Sequence, residues 1–212
     1  MARATTTNQQ ISGTYSIQKN QSKFSFAGWM RRPSSATHQV FGFVDSALHY
    51  SGPYHFNDNI MYFLLANGSS AYGYSLQNIT GWNHWAMSFD GTQTGNANRL
   101  KGYLNGNLLA LTFSGTIQST TSNNVLADVF RIGRAQYNGN WSTGDFAEIG
   151  MWQDVLSAAE IASLSKGMTP EKVRPDKLAS YIPLVRDIQD VRSGTSLTNT
   201  STTIATHPRI YA

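Results

Sequence analysis

Between Trp82 and Leu164, apolar side chains recur at every second position, in short runs cut by Gly and Asn. Trp85, Met87 and Phe89 alternate with His84, Ala86 and Ser88, the pattern of a strand with one buried face. Gly102-Tyr103-Leu104 runs into Asn105-Gly106. That pair suits a two-residue type I′ hairpin, in which both central residues need positive φ. Leu109, Leu111 and Phe113 then share one face of a return strand. Phe130 and Ile132 form another strand, and Phe146 to Trp152 a further one. A period of two laid on a helix would scatter these side chains around its circumference. The stretch therefore commits the chain to packed β-sheets.

The rest of the chain agrees. Phe24 and Phe26 share a face with Trp29 opposite, and Arg31-Arg32-Pro33 ends that strand. Val40 to Val44 is a strand, and Ile60 to Leu65 a continuous apolar run and so a buried one. Asn67-Gly68 turns the chain, after which Tyr72, Tyr74 and Leu76 alternate with smaller residues. Ile11, Tyr15 and Ile17 around Gly13 suit an edge strand. One helix is predicted, over 157–166. Ser157 and Glu160 make a capping box, Ile161 and Leu164 face inward, and Gly167 stops it. Pro170 and Pro175 mark a connector to a last strand over 178–185 and a turn-rich tail. The fold class is all-β: a two-sheet antiparallel β-sandwich of jelly-roll type, with one short helix and a C-terminal extension.

Charged residues are only 13% of the chain, and its surface is built from Asn, Ser, Thr and Gly instead. The net charge of +4 is spread out, with Arg31-Arg32 the one adjacent basic pair, so no nucleic-acid patch is expected. There are no cysteines, hence no disulfide or thiolate metal site. No apolar run is long enough to span a membrane, and the N-terminal residues show no secretory signal.

Two loops carry the candidate site. Residues 45–59 hold Tyr50, Tyr54 and His55, with His49, Asn57 and Asp58 beside them. Residues 134–144 hold Tyr137, Asn140 and Trp141. Exposed aromatics are rigid, amphipathic anchors for a sugar face or a protein pocket. Trp29, Trp85 and Trp152 are read as core. Catalytic and metal-ligating residues are not expected. Asp145 and Glu148 are three apart, so on a regular strand they point to opposite faces and cannot act as a pair without a bulge. His84 is read as a structural, hydrogen-bonding histidine.

The order Phe26-x-x-Trp29, Trp82-x-His84-Trp85-Ala86, Gly102-Tyr103-Leu104-Asn105-Gly106, Ile132-Gly133 and Phe146 to Trp152, followed by Leu156-Ser157-x-x-Glu160-Ile161, resembles the laminin-G-like jelly roll of the concanavalin A-like lectin/glucanase superfamily. The resemblance divides the chain into an N-terminal arm or edge strand (1–23), the sandwich (24–168) and a C-terminal extension (169–212) packing on the sandwich or a partner. Where that pattern often carries an Asp-Glu pair, this chain has Ala147-Glu148, so calcium is unsupported and no cofactor is expected. Unsignalled members often resemble virion proteins. The resemblance thus implies a non-catalytic decoration protein on the capsid or tail of a phage particle. Such a protein would be made in the host cytoplasm, would assemble with itself or with capsid or tail proteins, and could contact host glycans. The alternative is a carbohydrate-binding module of a glycan-processing system.

Overall fold

The computed structural model describes residues 1–34, 39–46, 49–55, 59–124, 129–135, 140–185 and 188–207. In chain order the strands are β1 (Ala2–Thr5), β2 (Gln10–Thr14), β3 (Lys23–Arg32), β4 (Gln39–Ser46), β5 (His49–His55), β6 (Ile60–Asn67), β7 (Tyr72–Leu76), β8 (Gly81–Asp90) and β9 (Leu100–Leu104). They continue as β10 (Asn107–Leu108), β11 (Thr112–Ser114), β12 (Val129–Ile132), β13 (Arg134–Ala135), β14 (Asn140–Trp141), β15 (Gly144–Trp152), β16 (Leu178–Ile182), β17 (Thr198–Thr200) and β18 (Thr203–Ala205). The helices are a single turn, α1 (Asn96–Arg99), and α2 (Ala158–Ser165).

The strands form two antiparallel sheets and one small hairpin. The first sheet runs β10-β9-β8-β3-β15-β1-β18, with β16 sharing β15, and the second runs β11-β7-β6-β5-β4-β12-β2-β17. This is the expected sandwich. Residues 1–23 place β1 in the first sheet, between β15 and β18, and β2 in the second, between β12 and β17. The core lies between the sheets. Phe24, Phe26, Met30, Trp85, Met87 and Phe89 enter from one side, and Phe41, Phe43, Met61, Phe63, Leu65, Phe130 and Ile132 from the other.

One irregularity in β15 decides which of its side chains reach that core. Ala147 pairs with Trp29, but Gly150 pairs with Ala27, so β15 has gained one residue against β3. The gain falls at Glu148, whose φ is +53°. Strict alternation would put Phe146 and Ile149 on opposite faces. The bulge inverts the alternation, so Phe146, Ile149 and Met151 all enter the core and Trp152 faces out.

Two expected elements differ. The return strand through Leu109, Leu111 and Phe113 is split: β10 pairs with β9 in the first sheet and β11 with β7 in the second. Its three apolar side chains pack half-buried against the core where the chain crosses between sheets. The 45–59 loop contains a strand, β5, between β4 and β6. Pro53 and Gly52 disguise it. The β4–β5 ladder is interrupted opposite Pro53, which has no N–H to offer, and Gly42 lies against Gly52 so closely that a Cβ on either would clash with backbone.

Helix α2 lies on the outer face of the first sheet. Its capping box is formed as expected, and Ile161 and Leu164 pack with Trp152, Tyr103, Leu178 and Tyr181. Trp152 donates its Nε1–H to the Val173 carbonyl at 2.8 Å. Arg174 ties Asp154 (2.9 Å) to Glu160 (2.6 Å). The C-terminal residues are anchored at Asp190, which is fully buried. Its carboxylate accepts from the Tyr15 hydroxyl (2.9 Å), the Ser180 and Ser193 hydroxyls (2.5 and 2.6 Å) and the Tyr181 N–H (3.1 Å). Burial raises its pKa, but these hydrogen bonds outweigh burial and hold it below the ordinary value.

Candidate functional site

Strand pairing fixes what the outer face of the second sheet displays. On β5 the even positions face outward, so Tyr50 and Tyr54 share a face while Ser51, Pro53 and His55 point inward. Tyr54 pairs with Tyr62 on β6, and Tyr62 with Tyr74 on β7. Three tyrosines thus lie in a row across three strands. Tyr72 pairs with Leu64 one step along the same face. Tyr62, Tyr72 and Tyr74 are mutually in contact, with ring centroids 5.4–6.0 Å apart. Tyr50 and Tyr54 are buried at 6% and 3% exposure, and Tyr50 shares a 2.9 Å hydrogen bond with Ser70. Tyr62, Tyr72 and Tyr74 are half-buried. Residues 46–89 contain a single charged residue, Asp58, which lies outside the described residues. The face combines flat apolar rings with neutral hydroxyls.

The expected site residues are only partly brought together. Tyr50 and Tyr54 join this face. His55 does not: it is fully buried on the inner side, its Nε2 3.2 Å from Arg32 Nη1 and its ring 5.3 Å from Trp85. A one-residue change of strand position separates it from Tyr54. Trp141 sits on β14 in the β13–β14 hairpin, half-buried, with the Arg134 guanidinium 4.6 Å above its ring. Tyr137 and the side chain of Asn140 lie outside the described residues, as do Asp58 and the side chain of His49. Tyr62, Tyr72 and Tyr74 were not foreseen as site residues. Their signal was available: tyrosines at alternate positions on two strands joined by an Asn-Gly turn.

The outer face of the first sheet holds a second, smaller feature. Trp29 and His84 are cross-strand partners on β3 and β8, edge-on at 5.3 Å. Trp29 is half-buried at this surface and not in the core as expected. His84 is 2% exposed, and its Nδ1 has no hydrogen-bond partner. Burial depresses its pKa to about 3, so the ring is neutral. Glu148, brought outward by the bulge, accepts a hydrogen bond from the Tyr181 hydroxyl and lies 3.0 Å from His207 Nε2. Asp145 is paired separately with Arg31 at 2.5 Å. The bulge that could have allied Asp145 with Glu148 instead gives each its own partner.

These features define a lectin-like jelly-roll sandwich. Residues 4–162 match the laminin-G-like profile described as the concanavalin A-like lectin/glucanases superfamily, and the chain belongs to that family. No curated protein sequence matches it. Among solved structures it is similar to a Bacteroides ovatus protein described as carbohydrate-binding (TM-score 0.69, 16% identity, covering 98% of this chain and 60% of the other). This chain therefore spans less than two thirds of that protein. It is also similar to the heptameric SAP-like pentraxin of Limulus polyphemus (0.58, 13%, covering 92% and 87%). A third is the CBM40 domain of the Ruminococcus gnavus IT-sialidase, solved with α2,3-sialyllactose (0.54, 13%, covering 78% and 98%). At these identities the likeness is one of fold.

Proposed function

We propose that this chain is a non-catalytic carbohydrate-binding module whose binding surface is the tyrosine face of the second sheet. The observation that carries the reading is the contiguous, uncharged cluster of Tyr62, Tyr72 and Tyr74. Tyrosine rings offer an apolar plane to the C–H face of a sugar, and their hydroxyls meet its polar edge. The family, and the carbohydrate-binding descriptions of two of the three similar structures, support the glycan reading over the phage-particle one. None of the three is described as a virion protein, so a place on a capsid or tail rests on the sequence resemblance alone. The non-catalytic part is supported by the separate engagement of Asp145 and Glu148, which keeps these two carboxylates from facing one bond.

Affinity electrophoresis of the chain in gels containing soluble polysaccharides tests the proposal. Retardation by at least one glycan is expected. The double variant Tyr62→Ala/Tyr74→Ala should bind roughly tenfold or more weakly while keeping its melting temperature. Retardation unaffected by that variant would remove the tyrosine face from the reading. No retardation by any of a broad panel would remove the reading itself.

A further inference from the structure

The cleft beside Trp29 has the makings of a site that the tyrosine face does not account for. It is lined by Trp29, His84, Glu148, Leu164, Met168 and Thr169, among others, and spans about 240 Å3 counted out to open solvent. The space in it that a water molecule can occupy amounts to about one water. Three observations converge there. The first is a half-buried indole at the mouth. The second is a neutral imidazole, 2% exposed, with an orphan nitrogen. The third is a carboxylate placed by a left-handed residue inside a strand, a conformation that costs free energy and persists only where its surroundings enforce it. Buried polar atoms in folded proteins are normally satisfied, so an orphan imidazole nitrogen beside a water-sized space points to a missing partner.

We infer that this cleft seats a single hydroxyl-bearing ring, such as one sugar residue, with a hydroxyl in the water-sized space beside His84 and the ring against Trp29. A hydroxyl is the group that fits. It is about the size of a water molecule, it donates to a carboxylate, and it donates to or accepts from a neutral imidazole. A carboxylate would be repelled by Glu148. The α2 end and the connector after it, Leu164 to Pro170, form one wall. The site therefore suits one residue, whereas the tyrosine face is open along three strands. The inference extends the glycan reading to the opposite side of the sandwich.

The test is NMR titration of the whole chain with methyl glycosides of glucose, galactose and N-acetylglucosamine. With at least one of them, the Trp29 indole and His84 ring signals should shift at millimolar concentration. Trp29→Ala should weaken the binding at least roughly tenfold, and Tyr74→Ala should leave it unchanged. If Trp29→Ala does not fold, His84→Phe keeps an aromatic ring and removes both nitrogens, and should also abolish the response. Shifts confined to the tyrosine face would refute the second site and leave the proposed function standing. A His84 shift that survives Trp29→Ala together with a Trp29 shift that survives His84→Phe, or no shift at either with any glycoside, would overturn the inference.

Discussion

The two outer faces of the sandwich differ in what lies against them. On the first sheet, α2 and the C-terminal residues cover the surface, and its side chains form a second apolar cluster around Trp152. On β5, β6 and β7 of the second sheet the outward side chains include Tyr50, Tyr54, Tyr62, Tyr72 and Tyr74, and among the described residues no helix covers them. A face meant to be covered uses shape-filling apolar groups and anchors them with Arg174 and Asp190. A face meant to meet a ligand uses rings that tolerate water on one edge. On the proposed function, substitutions around Trp152 should act on stability and substitutions at Tyr62, Tyr72 and Tyr74 on binding.

The largest expected effect comes from deleting Gly150. Without it, either the bulge stays and Met151 turns outward while Trp152 turns into the core, or the bulge is lost and Glu148 enters the core while Ile149 leaves it. The chain should then fail to yield a cooperative thermal transition. A deletion variant with near-parental melting would show that β15 can restore its register elsewhere. Next comes Trp152→Ala, which empties a large site under α2 and removes the hydrogen bond to Val173. It should cost about 3–5 kcal/mol, lowering the melting temperature by roughly 10 °C, whereas Tyr74→Ala should cost less than about 1 kcal/mol. Equal losses would dissolve the division between the faces.

Much of this architecture was legible before any coordinates. Trp85, Met87 and Phe89, the Asn105-Gly106 turn and the Ser157–Glu160 box all express local rules, and each holds in the structure. What was hidden depends on partners distant in sequence. Pro53 and Gly52 looked like loop residues because the strand needs Gly42 alongside. Tyr54 and His55 looked like one cluster because proximity along a chain says nothing about faces until a strand is assigned. The bulge at Glu148 has no local signature, since a left-handed glutamate is stabilised by the tertiary bonds around it. The site was therefore half-read: Tyr50 and Tyr54 were found, but Tyr62, Tyr72 and Tyr74 appear as a surface only once β5, β6 and β7 are aligned.

A smaller effect tests the covered face by pH. The folded-state pKa of His84 is depressed to about 3, against an unfolded value of about 6.5. Above about pH 6.5 both states are neutral there and the ring imposes no proton-linked cost. As pH falls from about 6.5 toward about 3, the unfolded chain takes up a proton that the folded chain refuses, so stability declines. Melting temperature should therefore fall less steeply between about pH 7 and about pH 4 in His84→Phe than in the parent. Parallel curves would mean that the imidazole is protonated in the fold and has a partner.

The smallest expected effect is at the tyrosine face, and it is the sharpest about its ligand. The strands that build the face carry no Lys, Arg, Asp or Glu from His49 to Leu76. Binding there would rest on ring stacking and neutral hydrogen bonds, neither of which is screened by ions. Raising salt from about 0.01 M to about 1 M shortens the Debye length from about 30 Å to about 3 Å. A neutral glycan held by Tyr62, Tyr72 and Tyr74 should keep its affinity across that range in a calorimetric titration. An affinity that drops steeply with salt would mean that an acidic glycan is held by cations beyond β5–β7. Arg131 on β12 of the same sheet is the first to replace in that event, because β12 lies beside β4 and thus two strands from β5.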